Sequence, residues 1–302
     1  RASTGSPTPA GADHILIQEH AEVNGHVVVA TRAQEVARHI RKAGGDFRYG
    51  DRILQAGTRL SARHIGLAAS ANHGALLVRR RPRVAILTAG SELRPPGSTL
   101  SDGQIAESNS YTLSKLLECR GADVLRLSTA PDDEQSINSK FEDAATADVI
   151  VTVGGASVGK HDLVRTVFSQ RGGEFVFERI AVRPGKPTWF GKLGGQTILG
   201  LPGNPTAAFV MMSLLMNGLI QGSRAIDYTD AFLGAPLPAN GARETFVRGR
   251  VELEKGTARV YSLKDQDTSR VYALTSTNCL INRPKDTLQK SAGELVKIVI
   301  LD

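Results

Sequence analysis

Three short stretches of this chain carry residue types and spacings suited to holding oxyanions. The first is VTVGGASVGKHD at residues 151–162, where an apolar, β-branched run ends in glycines, a Ser-Val-Gly turn and an acid, Asp162. That order describes a buried strand, a glycine-rich loop and the start of a helix. Such loops let backbone N–H groups approach a phosphate without Cβ interference, and the helix N-terminus adds partial positive charge. The second is RPGKP at 183–187, two cations on a stiff turn. Pro184 and Pro187 fix φ, Gly185 permits the bend, and Arg183 and Lys186 need little further ordering to meet an anion. The third is GLPGNP at 200–205, with Asn204 as N-cap and Pro205 at the first helical position, so that the exposed N–H groups of the helix start face the same crevice.

Three acids fall in the loops after strands: Glu92 in TAGSEL, Asp132 in APDDEQ and Asp162 in GKHD. Carboxylates beside a phosphate repel it unless they hold a hard cation such as Mg²⁺, which prefers oxygen ligands. Each also has a plain structural reading. Asp132 with Gln135 forms a capping-box pattern ahead of the helix containing Ile137, and Asp162 can cap the helix LVRTVF. Three acids at equivalent ends of one sheet shift the balance toward a site.

These residues need a frame, and the chain supplies an alternating one. From Arg83 to about Gly222, strands at 84–88, 124–127, 149–153, 174–179 and 197–201 alternate with helices over 110–119, around Ile137 and Phe141, and after Asn204. Gly121 suits a left-handed stop for the first helix. This pattern predicts an α/β fold, a central parallel sheet with helices on both faces, and ligands beyond the carboxyl ends of the strands. After Asp227 the periodicity becomes two, in FVRGRVEL, ARVYSL and ELVKIVIL, which predicts a small β-domain. Ahead of the α/β part, His14 to Gln18 reads as a strand, Asn24-Gly25 as a turn and HVVVAT as its hairpin partner, with a mixed helix over 62–71. Domains are therefore expected at 1–30 (the remnant of an N-terminal β-lobe), 31–82 (a connector), 83–225 (α/β) and 226–302 (barrel-like β).

The net charge of +7 favours an anionic partner but does not distinguish nucleic acid from a small phosphorylated substrate. Sparse aromatics argue against a single-strand-binding platform, so no nucleic acid is expected. The basic cluster RRRPR at 79–83 reads as a solvated connector. No apolar run is long enough to span a bilayer and no basic-then-apolar leader precedes the chain, so no membrane contact is expected. Cys119 and Cys279 fit no zinc spacing and read as free thiols of a cytoplasmic protein. The methionines at 211, 212 and 216 read as core.

With these motifs in view, the chain resembles the molybdopterin molybdenumtransferase family, which includes bacterial MoeA and the gephyrin E-domain. The resemblance runs from STGSPTPAGAD at 3–13 and GGD at 44–46 through TAGSEL, SDGQIAESN, GGASVGKHD, RPGKP and GLPGNP to Asn278-Cys279. It implies a MoaB/MogA-like central domain and an enzyme of molybdenum cofactor biosynthesis. That enzyme inserts molybdate into adenylylated molybdopterin, releasing AMP with the help of Mg²⁺. Carried over, Glu92, Asp132 and Asp162 surround the phosphates and Mg²⁺, while Arg183 and Lys186 hold molybdate or a phosphate. Pro202, Gly203, Asn204 and Pro205 shape the oxyanion pocket. Gly154, Gly155, Ser157 and Gly159 cradle the pterin phosphate, and Asn109 contacts the pterin side.

Thr4 and Asp46 belong to the lobe that, in the family, faces the partner subunit of a homodimer. The resemblance also implies association with molybdopterin adenylyltransferase and with apo-molybdoenzymes. His161 is left without a role. Two departures stand out: Ser91 where the family often has Asp, and Arg183 where it often has Lys. Family members carry a further stretch ahead of the TGSP segment, so the chain is expected to lack an N-terminal segment. The alternatives are the adenylyltransferase of the preceding step and a gephyrin-like scaffold.

Overall fold

The chain divides into two units, residues 1–79 and 80–302. The computed structural model describes residues 2–32, 39–154, 162–222 and 226–301. In the first unit, Ala21–Asn24 (β1) pairs antiparallel with Val27–Ala30 (β2). A helix, Ala62–Ser70 (α1), follows where the sequence places it. The strand expected at His14 to Gln18 is not formed. Residues 14–17 have no regular structure, and Gln18–His20 is a turn of 3₁₀ helix. The turn explains the shift. Gly25 takes φ +63° and starts a two-residue connection that sets Asn24 opposite Val27 and Ala21 opposite Ala30, so pairing is complete before position 18 is reached.

The second unit begins with Arg83–Thr88 (β3), the short pair Leu93–Arg94 (β4) and Ile105–Ala106 (β5), and the helix Asn109–Cys119 (α2). Asp123–Arg126 (β6), Glu134–Asp143 (α3), Val149–Val153 (β7), Leu163–Gln170 (α4) and Glu174–Phe177 (β8) come next. Val182–Arg183 (β9), Trp189–Leu193 (β10), Gln196–Leu201 (β11) and Pro205–Gln221 (α5) complete this part. The sheet order is β6-β3-β7-β11-β10-β8. The four strands from β6 to β11 are mutually parallel, and β10 runs antiparallel to both its neighbours. The expected parallel sheet is thus mixed, with one reversed strand that the sequence pattern did not show.

Strand alternation sends side chains to two cores. Val84, Ile86, Val151 and Leu199 pack with Leu113 and Leu117 of α2 and Met211 and Met212 of α5. Ala85, Leu87, Ile150 and Ile198 pack on the other face with Ile137 and Phe141 of α3 and Val164 and Phe168 of α4. Both faces of a mostly parallel sheet are thereby removed from water, as its apolar strands require. Gly121 ends α2 at φ +91°. In the arginine cluster, Arg80 grips Asp148 through both nitrogens at 2.6 Å while staying largely exposed.

Five further strands, Thr229–Leu233 (β12), Glu244–Glu254 (β13), Thr257–Ser262 (β14), Cys279–Arg283 (β15) and Leu295–Ile300 (β16), form the C-terminal part. The pairings β13-β14-β12-β16-β15 return to β13, so the sheet closes into a small barrel around Leu233, Val260, Cys279, Ile281 and Ile298. Closure leaves no free edges among these strands. Lys255 and Gly256 (φ +50° and +80°) make the mirror-image turn between β13 and β14. Cys279 is buried within the barrel, and burial pushes its thiol up to about 12. Both cysteines are free. β9 leaves the α/β part to pair with β13, Arg183 standing opposite Thr245. The RPGKP turn therefore starts from the barrel wall.

Candidate oxyanion and phosphate site

The order β6-β3-β7 places the second strand of the α/β part on one side of the first and the third on the other. The switch point of the sheet lies between the carboxyl ends of β3 and β7, the position where open α/β sheets take ligands. At that point Gly154, at φ +90°, lies so close to β3 that a Cβ on it would stand 2.4 Å from the Ala89 carbonyl oxygen. A Cβ on Gly203 would be 3.5 Å from the Gly154 Cα. Asn109 Nδ2 donates to the Gly203 carbonyl at 2.8 Å. The ends of β3, β7 and β11 and the start of α2 thus meet at one crevice, bringing Gly154, Gly203 and Asn109 together. Gly155, Ser157, Gly159 and His161 lie outside the described residues.

The acids take three different situations. Glu92 is exposed and folds back on its own loop, its carboxylate about where a Cβ on Gly90 would sit, at 2.9 and 3.0 Å. Asp132 is exposed, and its Oδ2 accepts the Ser91 N–H at 2.8 Å. The capping expected of Asp132 belongs to its neighbour: Asp133 is the N-cap of α3, accepting from Ser136 N at 2.7 Å. With two adjacent acids, the one whose backbone is extended at the helix boundary takes the cap. Asp162 is buried and caps α4, its Oδ1 accepting from Arg165 N at 3.0 Å. Its Oδ2 has no hydrogen-bond partner among the described residues, and burial pushes the carboxyl up to about 6. Among the described residues, no three His, Cys, Asp or Glu side chains stand together closely enough to hold a metal ion. Glu92, Asp132 and Asp162 are not drawn into one cluster.

The cations and the GLPGNP loop do meet. Arg183, Pro184, Gly185, Lys186 and Pro187 line a cavity of about 430 Å³ with Pro202, Asn204 and Ala207. Gly185 (φ +120°) packs directly on Met211, leaving no room for a side chain. Pro205 stands at the first position of α5, whose N-terminus supplies partial positive charge.

The far wall comes from the barrel, through Arg243, Gln266, Asp267 and Thr268, none of which the sequence motifs had marked. Asn204 Nδ2 donates to Thr268 Oγ1 at 3.0 Å, and Thr206 N to the Thr268 carbonyl at 3.1 Å. Beneath this loop lies Arg248, 1% exposed, donating to the Asp265 and Asp267 carbonyls at 3.0 and 3.1 Å. A buried arginine with carbonyl acceptors fixes backbone rather than binding solvent. Asp267 brings a negative charge to the wall, but Ser269 N and Oγ and Arg270 occupy its oxygens. Arg183, Lys186 and Arg243 have no ion-pair partner among the described residues.

The loop Pro202–Asn204 is shared. Gly203 faces the crevice at the sheet switch point while Pro202 and Asn204 line the cationic cavity. Thr4 and Asp46 lie in the other unit, both exposed.

Comparison with known proteins covers nearly the whole chain. Residues 1–72 match the MoeA N-terminal region (domain I and II), residues 85–222 a probable molybdopterin binding domain, and residues 230–301 the MoeA C-terminal region (domain IV). Molybdopterin molybdenumtransferase 2 of Mycobacterium tuberculosis is 32% identical over 310 residues, covering 99% of this chain and 76% of the relative. The molybdopterin molybdenumtransferase of Haemophilus influenzae is 33% identical over 307 residues, with the same two shares. Among solved structures, a molybdopterin biosynthesis moeA protein of Pyrococcus horikoshii superposes with a TM-score of 0.77 at 27% identity, covering 97% of this chain and 73% of its own.

Proposed function

Because the chain belongs to the molybdopterin molybdenumtransferase family, we propose that it is the transferase that places molybdenum in molybdopterin during molybdenum cofactor biosynthesis. In this reading it accepts adenylylated molybdopterin and molybdate and releases AMP. The observation that carries the reading is the shared loop Pro202–Asn204: its Gly203 meets Gly154 at the end of β7, while its Pro202 and Asn204 line the cavity that holds Arg183, Lys186 and Arg243. Two anions that must react with each other are held on either side of it.

Splitting a phosphoanhydride demands positioning and charge neutralisation more than a strong base. Gly154 lets the end of β7 close on Ala89 and so shapes the strand-end crevice that takes the substrate phosphates. Asn109 fixes the Gly203 carbonyl, and with it the height of the loop. Arg183, Lys186 and Arg243 receive molybdate with little reordering. Mg²⁺ is bound in many sites through one or two carboxylates, water and substrate phosphates rather than by an all-protein cage. The unpartnered, buried Oδ2 of Asp162 fits that manner of binding. Such an ion supplies charge neutralisation on the phosphates.

We extend the proposal to a cytoplasmic homodimer that works beside the adenylyltransferase and apo-molybdoenzymes. The hairpin of the first unit leaves Val23, Val27, Val28 and Val29 between 45% and 68% exposed, an apolar surface that a partner subunit would cover. No helix among the described residues is long and apolar enough to cross a membrane. Adenylylation alone would leave the barrel's contribution to the cationic cavity without a use.

Lys186→Gln tests the anion assignment. The molybdate concentration needed for half-maximal AMP release should rise about tenfold or more, the worth of one charge-assisted contact. An unchanged molybdate dependence would remove Lys186 from the oxyanion site.

A further inference from the structure

The segment after β3 is tied to the segment after β6 by a reciprocal pair of hydrogen bonds. Ser91 N–H donates to Asp132 Oδ2 at 2.8 Å, and Asp132 N–H donates to Ser91 Oγ at 3.0 Å. Around this pair the backbone is fixed at each end. Gly90 N donates to the Ala130 carbonyl at 3.1 Å, and Ile105 N donates to the Glu92 carbonyl at 3.0 Å. Arg94 Nη1 donates to the carbonyls of Ser91 and Leu93 at 2.9 and 2.8 Å. Within the span of these ties the Glu92 carboxylate is folded against Gly90, its oxygens 2.9 and 3.0 Å from where a Cβ on that glycine would stand. Asp132 has no helix to cap, since Asp133 does that, and one of its oxygens is spent on Ser91.

We infer that Ser91 and Asp132 are a positioning pair for Glu92, with Asp132 acting through Ser91 and not as a ligand of substrate or metal. Two loops from neighbouring strands are clasped side chain to backbone in both directions, so neither residue performs the task alone. Ser91 thereby has a purpose that an acid at that position could not fill in the same way. A second carboxylate cannot accept the Asp132 N–H without bringing two negative charges together.

The kinetic arm of the test rests on the proposed function; the second arm does not. Ser91→Ala and Asp132→Ala each remove one acceptor and should lower kcat for molybdate-dependent AMP release about tenfold, the scale of misplacing a catalytic group. The KM for molybdate should not move, and the double variant should be no slower than either single one. Ser91→Thr and Asp132→Asn keep an acceptor oxygen and should stay within about threefold of the parent, less than one full hydrogen bond's worth.

Additive losses would overturn the pair. So would an Asp132→Asn variant as slow as Asp132→Ala beside a nearly normal Ser91→Ala, because that pattern belongs to a charged ligand. Amide hydrogen exchange at residues 91 and 132 reads the clasp without turnover. It should quicken at Ser91 in Asp132→Ala and at Asp132 in Ser91→Ala, and remain slow at Ser91 in Asp132→Asn. Exchange unaffected by all of these changes would also overturn the inference. An inactive parent chain would instead defeat the proposed function and leave the exchange result to judge the pair.

Discussion

Asp162→Asn should abolish molybdate-dependent AMP release while making the protein more stable above pH 6. Two properties of one carboxyl lead to this expectation. Its Oδ1 caps α4, a task asparagine performs as well as aspartate. Its Oδ2 is buried and unpartnered, and burial has raised the carboxyl to about 6 from the ordinary 3.8. A folded-state value above the unfolded one means that the native state holds the proton more tightly. Stability from this group is therefore greatest in acid and declines as pH rises from about 4 to about 6. Above that window the charged form is a constant penalty.

Asparagine removes the penalty and keeps the cap, so the variant's melting temperature should overtake that of the parent through the same window and stay ahead at pH 8. Activity should fall about a hundredfold or more if the carboxylate serves the phosphates. Asp162→Ala separates the two roles, since it also loses the cap and about 1 kcal/mol with it. Equal melting curves for parent and Asp162→Asn across pH 4 to 8 would mean the carboxyl is not strained. Normal turnover in the variant would mean it is only a cap. A site that retains a costly charge is a common exchange of stability for function.

Gly154→Ala should be the most damaging methyl group that can be added to the crevice. The new Cβ would lie 2.4 Å from the Ala89 carbonyl oxygen, a backbone atom held in the sheet, and the residue's φ of +90° disfavours any side chain. Strain and overpacking together should cost about 3 kcal/mol or more, seen as a lower urea midpoint with unchanged slope. Gly203→Ala is the control: its Cβ would make an ordinary 3.5 Å contact with Gly154 and its φ is not in the left-handed region. Its folding stability should change by less than about 1 kcal/mol, as expected for a contact without overlap. If Gly154→Ala were as stable as Gly203→Ala, the close approach of β7 to β3 at the switch point would be wrong.

Much of this was legible in local patterns. Strands β3, β7 and β11 announce themselves as continuous apolar runs because both of their faces are buried. The Gly121 stop, the Pro205 start and the Lys255-Gly256 turn follow from backbone preferences of single residues. What escaped was set by contacts distant in sequence. β10 reads WFGKL, and its central Gly191 looks like a break until Phe168 is seen filling the space where a Cβ would stand. β15 carries Asn282 and Arg283, polar residues that are nevertheless buried; Asn282 donates to Glu244 on β13, and Arg283 to the Leu288 carbonyl in the loop that follows.

The barrel's share of the cavity, Arg243 and Gln266 to Thr268, belongs to no motif. Only the closure of the sheet and the buried Arg248 bring that loop to Asn204. The distinction between Asp132 and Asp133 was equally out of reach. Both are acids at a helix start, and the choice depends on the extended backbone of Asp133 and on Ser91 at the end of the neighbouring strand.

The central claim is that one shared loop holds two reacting anions, and the direct test is AMP release from adenylylated molybdopterin with and without molybdate. Release should depend on molybdate and on both walls of the loop, be lost in Asp162→Asn and shift to higher molybdate in Lys186→Gln. Release at the same rate without molybdate, or no release from a chain that binds both anions, would contradict it.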